Sequence, residues 1–359
     1  MVMAVIEPGA TIGILGGGQL GRMTVLAATA LGYRCHVYCP IKDSPAKQAT
    51  SLSTTADYDN KVALARFAKS VDVVTFEFEN VPGDTAESLA EHVPVRPGPN
   101  ALRIAQDRIK EKDFLRSIGV GTAPYQAVTS EDELRRAVEA IGPRAILKTV
   151  RMGYDGKGQV GIRGDSDLAA VWRGFGTSDG ILEGFVEFAC EVSVIIARGE
   201  NGKTAAYAPV ENQHVNHILD TTIAPARVKP EIAMRAEAIA RHIAEKIELV
   251  GLLAVEMFVT HKGEVLVNEL APRPHNSGHW TIDACYTSQF EQLVRAICGL
   301  PLGSSERHSD AVMKNLIGAD IEKWREAVND PLQKIHLYGK DKALPGRKMG
   351  HVTKLGPRR

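Results

Sequence analysis

Apolar residues recur along this chain in two periods, and the places where the period changes mark its elements. Residues 11–15 (TIGIL) are apolar without interruption, the pattern of a short buried strand, and the glycine turn GGGQLGRM follows. Leu20, Met23, Leu26, Ala27, Ala30 and Leu31 then recur at helical spacing, and Gly32 is placed to stop that helix. With the run CHVYC behind it, the stretch predicts a βαβ unit with a parallel pair of strands. A helix over about 60–69 leads to a strand, VDVVTFEF, on which Glu77 and Glu79 share a face and Glu79 sits at the carboxyl end.

Pro94, Pro97 and Pro99 mark a boundary. Beyond it the pattern predicts one helix through ALRIAQDRIKEKDFLRSIGV, its charges on the outer face, then a short strand at 123–128. A helix through SEDELRRAVEAIG carries a capping box in Ser130 and Glu133. AILKTV (145–150) predicts a strand with Lys148 inside it, and a half-buried lysine requires an anionic partner. Glycines 153, 156, 158 and 161 around Lys157 predict a mobile loop over phosphates; a plain glycine-rich hairpin would look similar, and Lys148 tips the balance to the phosphate loop. No Ser or Thr follows Gly156-Lys157, so it is not a Walker A loop. Further strands are predicted at GILEGFVEF, EVSVIIARG and AAYAPVENQH, the last two antiparallel about Glu200-Asn201-Gly202. Ile232, Ala236, Ile239, Ile243 and Ile247 line one face of an amphipathic helix, and DACYTSQFEQLVRAICG predicts another.

The chemistry concentrates between those two helices. GLLAVEMFVT (251–260) and VLVNEL (265–270) read as a hairpin, and a two-residue turn at Lys262-Gly263 sets Glu256 opposite Glu269. Two carboxylates at an opposed pair repel, and a divalent cation reverses the sign. A three-residue turn, or one carboxylate turned to solvent, would leave no such site. The polar segment Arg273, His275, Asn276, Ser277 and His279, together with Asn268, favours the cation. A second anion site is open at Gly16, Gly18 and Gly21, which match G-x-G-x-x-G, as is a purely structural tight turn. Cys39-Pro40 stands where a dinucleotide site needs an acidic residue, which argues against a nicotinamide cofactor. Lys340, Lys342, Arg347 and Lys348 form a basic loop cluster near the C-terminus, either a solvated loop or a phosphate clamp. His214 and His217 lack an i+4 histidine and read as loop surface.

Composition narrows the class. A chain of 359 residues predicts two or three domains. Lys plus Arg and Asp plus Glu are both 43, so no global field draws nucleic acid or a membrane surface, and any anion site must be local. No apolar run is long enough to span a membrane and no signal pattern opens the chain. Five cysteines without a CxxC pair predict reduced, mostly buried thiols in a cytoplasmic protein.

GILGGGQLGRM, FEFENV, KTVRMGYDGKGQ, VEMF, NELAPRPHNSGHWT and PGRKMGHV, in this order, resemble the 5-(carboxyamino)imidazole ribonucleotide synthases of the ATP-grasp superfamily. The resemblance implies an α/β ATP-grasp fold with an N-terminal pre-ATP-grasp domain (1–104), a small α+β lid (105–184) and a C-terminal α+β domain (185–359). It implies an ATP-dependent carbon–nitrogen ligase of purine biosynthesis that carboxylates 5-aminoimidazole ribonucleotide with bicarbonate through carboxyphosphate, using Mg²⁺ or Mn²⁺, as a homodimer. By position it assigns ATP to Arg108, Lys148, the lid loop Gly153, Tyr154, Asp155, Gly156, Lys157, Gly158 and Gln159, the adenine-flanking Glu183, Gly184, Phe185 and Val186, Glu191 at the ribose, His214, Asn268 and Glu269. It assigns the metal to Glu256 and Glu269, and the ribonucleotide to Gly18, Gln19, Leu20, Glu79, Tyr154, Arg273, His275, Asn276, Ser277, Lys340, Arg347 and Lys348. Arg273, Lys148 and Tyr154 carry the catalytic roles. Val150 and Met152 depart from relatives that have Arg and Gly there, which leaves a phosphate contact to Arg151, and the chain stops soon after PGRKMGHV. Rival readings are a formate-dependent glycinamide ribonucleotide transformylase, a nicotinamide-dependent oxidoreductase and a silent nucleotide-binding protein.

Overall fold

The computed structural model describes residues 5–153 and 156–358, and its strands form three sheets. The first is parallel and holds β1 (Thr11–Leu15), β2 (Arg34–Tyr38), β3 (Leu52–Thr54) and β4 (Val73–Phe76) in the order β3-β2-β1-β4. All five β1 residues are buried, as a continuous apolar run requires when both faces of a sheet are covered. The Gln19–Ala30 helix crosses from β1 to β2, and Gly32, at φ +82°, lets the chain turn back. β3, only Leu52-Ser53-Thr54, has too little periodicity to be foreseen.

The single helix expected after the proline boundary is two, Pro99–Ala105 and Arg108–Ser117. Asp107 divides them, its side chain accepting the Lys110 N–H at 3.1 Å as an N-cap. Nor do its charges all face outward: Glu111 and Lys112 are buried at 2% and 0% exposure.

The second sheet is antiparallel, with β5 (Tyr125–Val128), β6 (Ala145–Thr149), β7 (Gln159–Ile162) and β8 (Gly180–Gly184) in the order β5-β8-β6-β7. The Glu131–Ile141 helix covers it, with Leu134 and Ala137 against Leu147 and Leu182. Half of the expected capping box is present. Ser130 accepts the Glu133 N–H at 3.2 Å, while the Glu133 carboxylate bonds Thr129 rather than Ser130.

The third sheet is large and carries the site. It holds β9 (Phe188–Arg198), β10 (Thr204–Ala206), β11 (Val210–Val215), β12 (Ile218–Ala224), β13 (Gly251–Thr260), β14 (Val265–Ala271), β15 (Asp310–Ile317), β16 (Gln333–Leu337) and β17 (Lys348–Gly356). The order is β14-β13-β9-β11-β12-β15-β17-β16, with β10 also on β9. The strand expected at AAYAPVENQH is broken before β11 because Pro209 has no N–H to give a ladder. The Pro230–Lys246 helix covers one face of the hairpin, with Ala236, Ala240 and Ile243 against Val255, Met257, Val259, Val265 and Val267. On the other face Leu252 and Ala254 join a core shared with the first sheet and with Leu293, Val294 and Ile297. Those last residues belong to a helix that begins at Gln289, capped by Ser288, rather than at Asp283 as its sequence pattern suggested.

Candidate active site

Glu256 does stand opposite Glu269, by a route the sequence did not show. The turn has three residues, His261-Lys262-Gly263, closed by Thr260 N donating to Glu264 O at 2.9 Å, with Gly263 left-handed at φ +80°. That turn pairs Met257 with Val267, so an uninterrupted ladder would set Glu256 against Asn268 and turn Glu269 onto the helix-covered face. β14 instead absorbs Asn268 as a bulge, and the next pair is Glu256 with Glu269. A turn one residue longer and a bulge of one residue cancel.

Both carboxylates meet basic side chains. Glu256 Oε1 lies 3.0 Å from His275 Nε2, and Glu269 Oε2 lies 3.4 Å from Arg108 Nη1. Burial pushes Glu256 up, but His275, with His214 and Lys348 adding charge, holds its carboxyl down at about 2, so it is ionised at neutral pH. His275 is fixed in turn: its Nδ1 is 2.8 Å from Ser277 Oγ, which accepts from Ser193 Oγ at 2.7 Å. Asn268 Oδ1 is buried and has no hydrogen-bond partner among the described residues. Two carboxylates and an orphaned amide oxygen are a hard-oxygen donor set suited to Mg²⁺.

Beside the hairpin, Arg273 grips Glu79 through Nε and Nη2, the latter at 2.9 Å. Burial would raise the Glu79 carboxyl, but the guanidinium charge and its hydrogen bonds outweigh that and hold it at about 2. Both had been assigned to the ribonucleotide, and the structure joins them to each other. Asn276 is buried, with both side-chain amide atoms unpartnered among the described residues. Lys348 reaches the electrostatic surroundings of Glu256 and His214, and Lys340 those of Glu77, with Lys340 Nζ donating to Lys348 O at 2.6 Å. Arg347 departs from expectation: it is paired with Asp341 at 3.2 Å and with the Lys342 carbonyl, on an exposed loop, rather than with the 273–277 segment.

The lysine expected to meet phosphate has a protein partner. Lys148 Nζ donates to Glu183 Oε2 at 2.9 Å, and Lys112 Nζ lies 3.8 Å from the same oxygen. Burial pushes Lys148 down despite the pair, while two lysines and Arg108 hold the Glu183 carboxyl low against its burial. The Glu183 Oε2 is therefore turned to the lysines, while its Oε1 is buried without a hydrogen-bond partner among the described residues. Gly184 and Phe185 fix their backbone by donating to Pro124 O and Arg144 O, and the exposed Phe185 ring carries Arg144 on its face at 4.6 Å. Val186 follows in a strandless link. The loop from Gly153 to Gln159 is anchored at both ends. Arg108 N donates to Val150 O, and Thr149 N to Gly158 O. Gly156 and Gly158 have positive φ, and an added Cβ would strike His217 and Thr149 respectively at 2.6 Å. Tyr154 and Asp155 lie outside the described residues. Lys157 and Gln159 flank the loop, Gln159 opposite Lys148 in the sheet, and Arg151 is 3.8 Å from Asp107. Glu191 and His214 come together at 3.1 Å, and that pairing raises the His214 imidazole against the lowering effect of burial.

The first glycine turn is already filled. Gly18 N donates to Glu77 Oε1 at 2.6 Å and Gly21 N to Glu77 Oε2 at 3.1 Å, so the anion this turn attracts is the chain's own carboxylate. Burial outweighs these bonds and raises the Glu77 carboxyl. Gln19 stays partly exposed, while the Leu20 side chain packs with Met23, Phe290 and Tyr338.

Asp283, His336 and His351 also bring ligand atoms within 4.8 Å of one another. His336 Nε2 is bonded to Asp283 at 2.8 Å, and the rings of His336 and His351 stack 4.6 Å apart at 18°. Lone pairs of parallel rings run side by side rather than converge, so this reads as a hydrogen-bonded stack.

Glu111 and Lys112 were missed as site residues. The signal was in the helix: Arg108, Glu111, Leu115 and Ile118 follow helical spacing, which puts the first two on the apolar stripe.

Three family models match: a ribonucleotide synthetase preATP-grasp domain over residues 9–106, an ATP-grasp domain over 113–290 and a phosphoribosylaminoimidazole carboxylase C-terminal domain over 311–359. N5-carboxyaminoimidazole ribonucleotide synthase of Brucella melitensis is 48% identical over 98% of this chain and 98% of its own. The bifunctional purine synthesis protein purC/E of Dictyostelium discoideum is 47% identical over 97% of this chain, which spans 37% of that longer protein. The Aspergillus clavatus N5-carboxyaminoimidazole synthase, solved with ADP and 5-aminoimidazole ribonucleotide, superposes with a TM-score of 0.92 at 32% identity, covering 97% of this chain and 94% of that one. With the preATP-grasp, ATP-grasp and carboxylase C-terminal segments in register along nearly its whole length, this chain belongs to the N5-carboxyaminoimidazole ribonucleotide synthase family of ATP-grasp ligases.

Proposed function

We propose that this chain carboxylates 5-aminoimidazole ribonucleotide with bicarbonate at the expense of ATP, and that Glu256 and Glu269 hold Mg²⁺ for the phosphoryl transfer, with Asn268 assisting. The observation that carries the metal assignment is the opposed pair of Glu256 and Glu269 beside an orphaned Asn268 oxygen. Mg²⁺, when bound there, screens the negative charge that develops across the β- and γ-phosphoryl oxygens. Bicarbonate oxygen attacks the γ-phosphorus and ADP leaves; the exocyclic amine of the ribonucleotide then attacks the carboxyl carbon of carboxyphosphate, or of the CO₂ it releases, phosphate departs with the C–O bond electrons, and the amine gives up a proton.

The side chains divide this work. Lys148 and Arg108 face the triphosphate, with Glu183 orienting Lys148. The backbone of 184–186 takes the adenine, and the Glu191–His214 pair the ribose side. Arg273 and His275, held by Glu79 and Ser277, position the ribonucleotide, while Lys340 and Lys348 supply positive charge for its phosphate. The loop from Gly153 to Gln159, including Tyr154 and Asp155, closes over the phosphates, because water hydrolyses carboxyphosphate. Arg347 joins the phosphate clamp by exchanging Asp341 for the ligand, and Glu183 flanks the adenine while its other oxygen holds Lys148.

We place the domain limits at 1–104, 105–184 and 185–359, and assign a cytoplasmic homodimer. Light scattering tests the dimer, and a monomer mass at working concentration refutes it. The deciding assay is phosphate release from ATP with bicarbonate and aminoimidazole ribonucleotide, each omitted in turn. Turnover that persists without the ribonucleotide, or that needs formate and glycinamide ribonucleotide instead, overturns the reading.

A further inference from the structure

The bulge that brings Glu269 to face Glu256 is held from one helix. On the Arg108–Ser117 helix, Lys112 Nζ donates to the Asn268 carbonyl at 2.6 Å, and Glu111 Oε1 accepts the Leu270 N–H at 2.6 Å. These backbone groups flank Glu269 on either side. One turn earlier on the same helix, Arg108 Nη1 reaches the Glu269 carboxylate itself at 3.4 Å. Three side chains of one helix thus grip three consecutive residues of β14.

A bulge leaves backbone groups outside the sheet ladder, and a buried N–H or carbonyl left unpaired is destabilising. Without Glu111 and Lys112, closing the bulge would re-pair those groups with β13 and return Glu269 to the helix-covered face. Fully burying a carboxyl and an ammonium for two backbone hydrogen bonds is costly, and apolar side chains would pack the helix at lower cost. We infer that Glu111 and Lys112 are positioning residues that lock the Asn268 bulge, and through it set the separation of the two metal-binding carboxylates. Lys112 also lies 3.8 Å from Glu183, the partner of Lys148, so the same ammonium ties the second sheet's lysine to the metal strand. The inference rests on the reading of Glu256 and Glu269 as Mg²⁺ ligands.

The test is Mn²⁺ binding in the presence of ADP, followed by electron paramagnetic resonance on the purified full chain and so independent of turnover. Glu111→Ala and Lys112→Met are expected to weaken Mn²⁺ by about 10–100-fold, the range for residues that orient ligands. Glu111→Gln keeps an acceptor oxygen for Leu270 N and is expected to bind Mn²⁺ within about twofold of the parent. A role in packing alone predicts the reverse: a lower unfolding midpoint for both disruptive variants, with Mn²⁺ affinity unmoved, and that result overturns the inference. If Lys112→Met does not fold, Lys112→Gln, with a shorter donor, carries the same expectation. Glu269→Gln separates the two readings. If it leaves Mn²⁺ binding intact, the metal assignment itself is wrong. If it weakens Mn²⁺ while Glu111→Ala does not, the assignment stands and the clamp falls.

Discussion

The glycine turn of the first sheet and the carboxylate hairpin of the third both bring acids against tightly turned backbone, with opposite results. At the turn, Glu77 is satisfied by two neutral N–H groups from Gly18 and Gly21, and its carboxyl is raised by burial. At the hairpin, Glu256 and Glu269 are met by His275 and Arg108, and Glu256 is driven down to about 2. Backbone donors are fixed in place, so the turn is a closed staple. Side-chain cations can re-aim when a ligand arrives, so the hairpin is an open site. Anion-binding geometry alone therefore does not mark a ligand site; what matters is whether the chain has already supplied the anion.

The largest effect should come from breaking the hairpin. Glu269→Ala is expected to reduce bicarbonate- and ribonucleotide-dependent phosphate release by on the order of 10³-fold while leaving far-UV circular dichroism unchanged. Near-normal turnover would show that the opposed carboxylates are as structural as Glu77. Next in size, Lys148→Ala removes a charged donor and should raise the KM for ATP by about 10–100-fold. An unchanged KM would mean that Lys148 serves only Glu183. Smaller again, Glu77→Ala strips the acceptor from two N–H groups and should cost about 1–3 kcal/mol for each one left unpaired, seen as a lower urea midpoint. The KM for the ribonucleotide should stay within about twofold. If instead the KM moves and the midpoint does not, the turn is a ligand site after all.

Much of this comparison was legible in the sequence, and the parts that were not share a cause. The strands at 11–15 and 251–260 and the 230–246 helix follow from periodicity, because each is a one-dimensional pattern, whereas Glu256 came opposite Glu269 by counting from a two-residue turn that the chain does not make. The bulge at Asn268 was not, since periodicity cannot separate a two-residue turn from a three-residue turn compensated by a bulge. Partners distant in the chain were equally hidden: Lys148 with Glu183, Arg273 with Glu79, and Gly18 with Glu77 are 35, 194 and 59 positions apart. Charge misled where it was abundant. Arg108, Glu111 and Lys112 read as a solvated face, although spacing from Leu115 already placed Arg108 and Glu111 on the buried stripe.

The smallest expected effect concerns β17, where the rings of His351 and His279 stack 4.8 Å apart, both fully buried. Burial holds both imidazoles well below their usual value, with neighbouring histidine charge acting in the same direction. In the unfolded chain they take protons from about pH 6.5 downward, and the folded chain does not, so each removes stability as pH falls below that point, by up to about 1.4 kcal/mol per unit. Glu111, pushed up to about 8, acts in the opposite sense: folded, it keeps a proton that the unfolded chain has lost, and stability falls as pH rises from about 4.5 toward 8. The parent slope between pH 5.5 and 6.5 is therefore a difference between opposed groups, and only a variant isolates one of them. Glu256 and Glu79, held near 2, titrate below this window. His351→Gln should flatten the acid-side loss of the urea midpoint by about one proton's worth, leaving the Mn²⁺ affinity of the hairpin unchanged. Identical slopes in parent and variant would mean that His351 is protonated in the folded chain, and the stack would then be charged, like the ion pairs of the hairpin, rather than neutral.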